Sequence, residues 1–178
     1  KSAQMMCAPS IPKDLFFEMI KEVILDNIDY IPPYETGFSL YIRPLLIWVW
    51  PQVGLHASKD YMLIIYVNPV WNYMDPYKAN NMLIDRNFDR AAPLWTWTVK
   101  LGWNYAWSLK SMQNAHDKWF ASTLYLDAKE KKYIDECGPA NFFAIKDNTY
   151  ITPESTSILP SITNKSLIFK GTNIKLHW

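Results

Sequence analysis

The sequence predicts an α+β fold in two parts, and three observations carry that prediction. An amphipathic helical run precedes two strand-length apolar runs in the first half. A polar stretch rich in turn formers, MDPYKANN, interrupts the chain near its middle. Beyond it, short strands and helical runs alternate. The expected division is a smaller portion over residues 1–74, a linker over 75–81 and a larger portion over 82–178.

Taken in order, Ser10-Ile11-Pro12-Lys13-Asp14 supplies a helix start. After it, Leu15, Phe16, Met19, Ile20, Val23 and Ile24 recur at three and four residues, which predicts one apolar stripe packed on a sheet as core. Residues 30–37, YIPPYETG, hold paired prolines and a glycine and form a loop. Residues 39–49, SLYIRPLLIWV, read as a strand on which Tyr41 and Arg43, two apart, share a face. A polar turn over 52–59 leads to residues 61–70, YMLIIYVNPV, whose continuous β-branched and aromatic run predicts a buried strand. Residues 82–88 make a short strand. Residues 105–120 make a helix with Ala106, Leu109, Met112 and Gln113 on one face, and His116 near its end is a surface or capping residue with no chemistry assigned. A strand over 122–127, a charged turn over 128–132, and a final short strand, Ser/Thr-rich turn and helix within 148–167 complete the reading.

Bulk properties narrow the function. The 178 residues, 49% hydrophobic and 20% charged, suffice to bury a core. A net charge of +1 with no lysine or arginine cluster leaves no electrostatic footprint for nucleic acid or an anionic membrane surface. The most apolar run, residues 40–53, is broken by Arg43, Pro44, Pro51 and Gln52, so no membrane span is expected. Cys7 and Cys137 have no metal-ligand spacing, and free thiols in a reducing compartment, cytoplasm or mitochondrial matrix, are expected. A start at Lys1 rather than at a methionine, with AQMMCAPSIP reading as the middle of a domain, predicts a processed or truncated chain.

Four features carry candidate chemistry. Lys100 is the one charge in the run APLWTWTVKLGWNYAWS. If that run is buried, desolvation lowers its amine toward nucleophilic range and suits it to Schiff-base formation; if it lies at a strand end, the head reaches water. Arg43, with the Tyr41 phenol beside it, suits a substrate carboxylate or a solvated edge-strand ion pair. Glu136, in YIDECGPANFFAI, is either a ring-nitrogen partner or a solvated carboxylate. The turn before the last helix, with Ile162 and Thr163, is either a phosphate cradle or an ordinary N-cap.

Resemblance decides between these alternatives. DRAAPL, TVKLG and NYA, together with SLYIRPLLI, ECGPANFF and ILPSIT, are similar to the motifs of branched-chain aminotransferases, members of the fold-type IV class of pyridoxal 5'-phosphate (PLP) enzymes. They occur in the family's order over about residues 5–168. The resemblance implies part of a small α/β domain joined to part of a larger, β-barrel-like PLP-binding domain. It further implies Lys100 as the Schiff-base lysine, Tyr105 beside the cofactor's phenolic oxygen, Glu136 against its pyridine nitrogen, and Ile162 and Thr163 at its phosphate. Tyr41 and Arg43 would line the substrate side. Leucine, isoleucine and valine with 2-oxo acids, chiefly 2-oxoglutarate, are the implied substrates, and a homodimer the implied assembly. The family's upstream phosphate-gripping arginine and downstream Gly-Thr-Ala segment are not in this chain.

The departures concern tryptophan. Trp95, Trp97, Trp103 and Trp107 stand where the family carries glycine or another small residue, and Trp71 follows a strand that the family ends with proline-valine-glycine. The chain has 5 glycines and 9 tryptophans, where about 7% glycine is ordinary; a one-for-one exchange, by drift or by a decoding difference, accounts for both counts. Two functional readings follow. The chain represents a branched-chain transaminase, with a D-amino-acid aminotransferase or aminodeoxychorismate lyase as the runner-up on the same scaffold; or it is a non-catalytic relative, kept as a structural or interaction subunit, in which indoles fill the cofactor cleft.

Overall fold

The computed structural model describes residues 1–170 other than 73 and 76. It contains two compact units, Lys1–Ala79 and Asn80–Trp178.

In the first unit a short helix α1 (Ser2–Met5) precedes α2 (Lys13–Asp26), two 3-10 turns (Ile28–Tyr30 and Tyr34–Thr36), and the antiparallel strands β1 (Ser39–Trp48) and β2 (Tyr61–Val70). Gly37 closes the second 3-10 turn at φ +69°, a left-handed conformation that side chains resist. The strands pair over their full length, from Ser39 opposite Val70 to Trp48 opposite Tyr61. Pro44 is tolerated because β1 is an edge strand. The α2 stripe packs towards β2 as its periodicity predicts, with Phe16, Met19, Ile20, Val23 and Ile24 half-buried. Leu15, however, is 46% exposed, and no residue of α2 is fully buried. Nor is β2 the buried strand expected: its side chains are half-buried or exposed, because a two-stranded sheet offers only one face to a single helix. Among the described residues of this unit, Ala8 alone is fully buried.

The second unit holds the core. Strand β3 (Met82–Asp85) leads through a 3-10 turn (Thr96–Thr98) to helices α3 (Gly102–Ala106) and α4 (Leu109–Asp117), then strands β4 (Ser122–Leu126) and β5 (Ile134–Cys137). β4 is central in the sheet, parallel to β3 and antiparallel to β5, and all five of its residues are buried. Parallel pairing of β3 and β4 demands a crossover, which α3 and α4 supply, with α4 packed on both strands. One helix over 105–120 was expected; the chain instead breaks at Trp107-Ser108, where the Ser108 hydroxyl donates back to the Tyr105 carbonyl at 2.8 Å. The face turned inward also differs. Ser111 and Ala115 are fully buried, whereas Leu109 is 64% exposed. Ser111 is accommodated because its hydroxyl donates to the Asp85 carboxylate, and the Thr123 hydroxyl donates to the Ser111 carbonyl at 3.2 Å.

A hairpin of β6 (Ala144–Lys146) and β7 (Thr149–Ile151) follows, then α5 (Ile162–Lys170). Its two-residue turn, Asp147-Asn148, has both residues at positive φ (49° and 56°), the geometry that matches the twist of paired strands.

The 127–133 turn after β4 is organised by one carboxylate. Asp127 accepts backbone N–H bonds from Tyr133 (2.7 Å), Lys132 (2.8 Å) and Glu130 (2.6 Å). The bond from Tyr133, followed by that from Glu130, lowers its pKa to about 2. Because the folded value lies below the ordinary one of 3.8, this contribution to stability is complete above that range and is lost as pH falls through about 2. Acid unfolding followed by circular dichroism should therefore show Asp127→Asn converging on the unsubstituted chain towards pH 2 and falling below it at neutral pH.

Candidate active site

The loop from β3 to α3 is shaped by an amide. Asn104 is buried at 1% exposure; its Nδ2 donates to the carbonyls of Thr96 (2.9 Å) and Val99 (3.1 Å), while its Oδ1 accepts from the Thr96 hydroxyl at 2.7 Å. These bonds hold the 3-10 turn against the helix that follows. Val99 and Leu101, 6% and 4% exposed, anchor the chain on both sides of Lys100. Lys100 itself is exposed, so the amine is not the desolvated one that burial of the whole run would have given: neither neighbour's burial carries over to the longer side chain between them. Nor does it end a strand. Its Nζ lies 4.7 Å from the centre of the Tyr105 ring.

Opposite chemistry comes from β5. Glu136 is 2% exposed, and one oxygen is ion-paired with Arg90 while the other accepts from Asn141 Nδ2 at 2.7 Å. Arg90 is itself 6% exposed. Its Nε donates to the Gly138 carbonyl at 3.2 Å and its guanidinium lies 4.8 Å from the centre of the Trp97 ring. Burial lowers the Arg90 pKa, against which the neighbouring phenols and Asp135 act. Asn141 also donates to the Leu159 carbonyl at 3.1 Å, tying the exit of β5 to the approach to α5. Ser161 caps that helix, its hydroxyl accepting from the Asn164 amide at 3.1 Å, so that Ile162 and Thr163 form the first turn, where helix amides lack intrahelical acceptors.

These pieces surround one cavity of about 450 Å³ whose walls include Lys100, Tyr105, Glu136, Asn141, Ile162 and Thr163. That volume lies in the range of small-molecule sites. Among the described residues no indole lines it, so none of the described tryptophans fills this cleft. Trp95, Trp97 and Trp107 wall a different cavity, of about 590 Å³.

The model of the family described as amino-transferase class IV matches residues 1–177. The chain belongs to this family.

This class IV aminotransferase chain is 41% identical over 174 residues to the branched-chain-amino-acid aminotransferase of Haemophilus influenzae, a match covering 94% of this chain and 51% of that protein. Its fold is shared with the crystal structure of the Escherichia coli branched-chain amino acid aminotransferase (TM-score 0.81, 27% identity, 99% of this chain and 58% of that one). It is shared also with the PLP form of the branched-chain amino acid aminotransferase from Thermobaculum terrenum (TM-score 0.81, 19% identity, 99% of this chain and 56% of that one). The fold-type IV expectation therefore holds, over part of the fold: the chain spans about half the length of the curated relatives it matches.

Five of the seven site residues expected from sequence, Lys100, Tyr105, Glu136, Ile162 and Thr163, come together at the one cavity. The other two belong to the first unit. Tyr41 and Arg43 share a face of β1 as their spacing predicts, with the guanidinium 4.9 Å from the centre of the phenol ring. Three residues at the site of this aminotransferase chain were not singled out from sequence: Arg90, Asn104 and Asn141. Arg90 stands inside the DRAAP motif, Asn104 inside NYA and Asn141 inside ECGPANFF, and that membership was the available signal. Cys7 and Cys137 are free thiols as expected. Among the described residues there is no cluster of metal-ligating side chains and no helix long and apolar enough to cross a membrane.

Proposed function

We propose that this chain is the part of a PLP-dependent transaminase that carries the reactive lysine, acting on leucine, isoleucine and valine with 2-oxoglutarate. The single observation supporting the reading most is that an amine, a phenol, a buried carboxylate and the first turn of a helix, drawn from three separate stretches of sequence, border one cavity.

The groups present suit a phosphorylated pyridine aldehyde. A buried carboxylate faces a ring nitrogen better than it faces water, an exposed amine can reach an aldehyde, and helix amides suit a phosphate. Asn141 Oδ1 is buried without a hydrogen-bond partner among the described residues, as a wall awaiting a polar ligand would be. When bound, PLP supplies an electron sink for the carbon that loses its proton.

The chain's own residues divide the remaining work. Lys100 Nζ would hold the cofactor by its aldehyde carbon and, once displaced from it by the substrate's amine, would be free to move the proton at the substrate Cα. Glu136, fixed by Arg90 and Asn141, keeps a negative oxygen for the ring nitrogen. Tyr105 would stand beside the phenolic oxygen, while Ile162 and Thr163 would offer their amides to the phosphate. Tyr41 and Arg43 are assigned the substrate carboxylate, which the planar guanidinium matches. The working assembly is taken to be a homodimer, and the first unit the smaller domain of each subunit.

Adding PLP to the protein and reducing with borohydride should leave a phosphopyridoxyl group on Lys100, located by peptide mass mapping. Labelling spread over surface lysines with none at Lys100 would defeat the assignment.

A further inference from the structure

One tryptophan of this chain sits where the backbone asks for glycine, and it shows this without reference to any relative. Helix α4 ends at Asp117 with Lys118 as its C-cap. Trp119 follows at φ +62°. Its N–H donates to the His116 carbonyl (2.9 Å), and the next N–H, of Phe120, donates to the Ala115 carbonyl (3.0 Å). That pair of bonds is the Schellman helix ending, whose left-handed residue is usually glycine because a Cβ there crowds the backbone. Asp147 and Asn148, also at positive φ, are of residue types that tolerate it. An indole has no such licence, and this one gains nothing from burial: Trp119 is 95% exposed.

Six of the other seven described tryptophans are exposed as well. Trp71 and Trp107 are 76% and 71% exposed, and Trp48, Trp95, Trp103 and Trp50 are all exposed too. Tryptophan carries the largest apolar side chain and is highly buried on average. Of the eight within the described residues, only Trp97 is buried. A chain poor in glycine and rich in tryptophan that leaves most of its indoles in water has one economical explanation.

We propose that the exposed tryptophan positions, Trp119 foremost, are glycine in the protein its own cells make, through a codon that one genetic code writes as tryptophan and another reads as glycine. The apolar cavity walled by Trp95, Trp97 and Trp107 is then a product of the indoles and not a ligand site. This inference stands on backbone geometry and exposure, and it survives or fails independently of the transaminase reading.

The test is peptide sequencing by mass spectrometry of this protein taken from cells that carry its gene. The peptide that continues from Lys118 into FASTLYLDAK is expected to begin with glycine, and tryptophan there overturns the proposal. A recombinant comparison checks the conformational premise. W119G should raise the folding equilibrium constant about fivefold or more, the relief of a left-handed non-glycine residue, while W119A, which keeps a Cβ, should not. W119G no more stable than W119A would remove that premise.

Discussion

Replacing Lys100 by alanine should abolish amino transfer from leucine to 2-oxoglutarate, lowering kcat by at least about 10⁴-fold, because one amine is assigned both the covalent hold on the cofactor and the proton transfer at Cα. The melting temperature should barely move, since Lys100 is exposed and the segment is anchored by Val99 and Leu101 on either side. Lys100→Arg should not rescue activity, because a guanidinium keeps its proton and cannot attack an aldehyde. The visible band that PLP acquires on binding should be lost in both variants. A Lys100→Ala protein retaining more than a few per cent of its turnover would assign the chemistry to another amine.

The second large effect is on stability. Arg90→Ala should cost about 3–5 kcal/mol, because it leaves the Glu136 carboxylate buried with no counter-charge. Against a total stability of about 5–15 kcal/mol for an ordinary domain, that is enough to leave the second unit partly unfolded at moderate temperature. Arg90→Lys should fall between, keeping a charge but losing the Nε bond to Gly138 and the flat contact with Trp97. Arg90→Met with Glu136→Gln should recover much of the loss, since the orphaned charge is gone. Urea unfolding of the three variants checks the ordering, and an Arg90→Ala protein within about 1 kcal/mol of the unsubstituted chain would show that water reaches Glu136.

What the sequence disclosed and what it concealed divide along physical lines. Helix α2 and strands β1, β2 and β4 were legible because period and length both marked them: Ser39–Trp48 and Tyr61–Val70 emerge almost as expected. The break between α3 and α4 was not, because it depends on a serine hydroxyl competing for a helix carbonyl, and apolar spacing carries no record of that. The buried face of α4 was misread for a related reason. Ser111 is inside because Asp85 and Thr123 accommodate its hydroxyl, while Leu109 on the same helix faces water. Of the β6–β7 hairpin only the second strand was read, and the pairing was missed although Asp147-Asn148 is a turn dipeptide, since only three residues flank it on each side.

At the site, the residues that touch the cavity were legible through their joint motifs rather than singly, as Lys100 illustrates. Apolar neighbours left both a desolvated and a solvated amine open; the structure exposes it, because burial is decided side chain by side chain. Arg90 escaped notice for the converse reason. An arginine is almost never fully buried unless paired, and its partner lies far along the chain, on β5. The roles of Asn104 and Asn141 were not legible because each bonds both to a side chain and to a backbone carbonyl, and a carbonyl that any residue supplies leaves no mark in sequence.

The cavity's walls come from residues 90–105, 136–143 and 159–167. Each stretch is far from the next along the chain, so none of them forms a partial pocket while the rest is unfolded. Occupancy is thereby coupled to the native state alone. Every tenfold rise in free ligand beyond its dissociation constant adds about 1.4 kcal/mol to the unfolding free energy, and the midpoint of thermal denaturation becomes a titration curve for whatever molecule the cleft accepts.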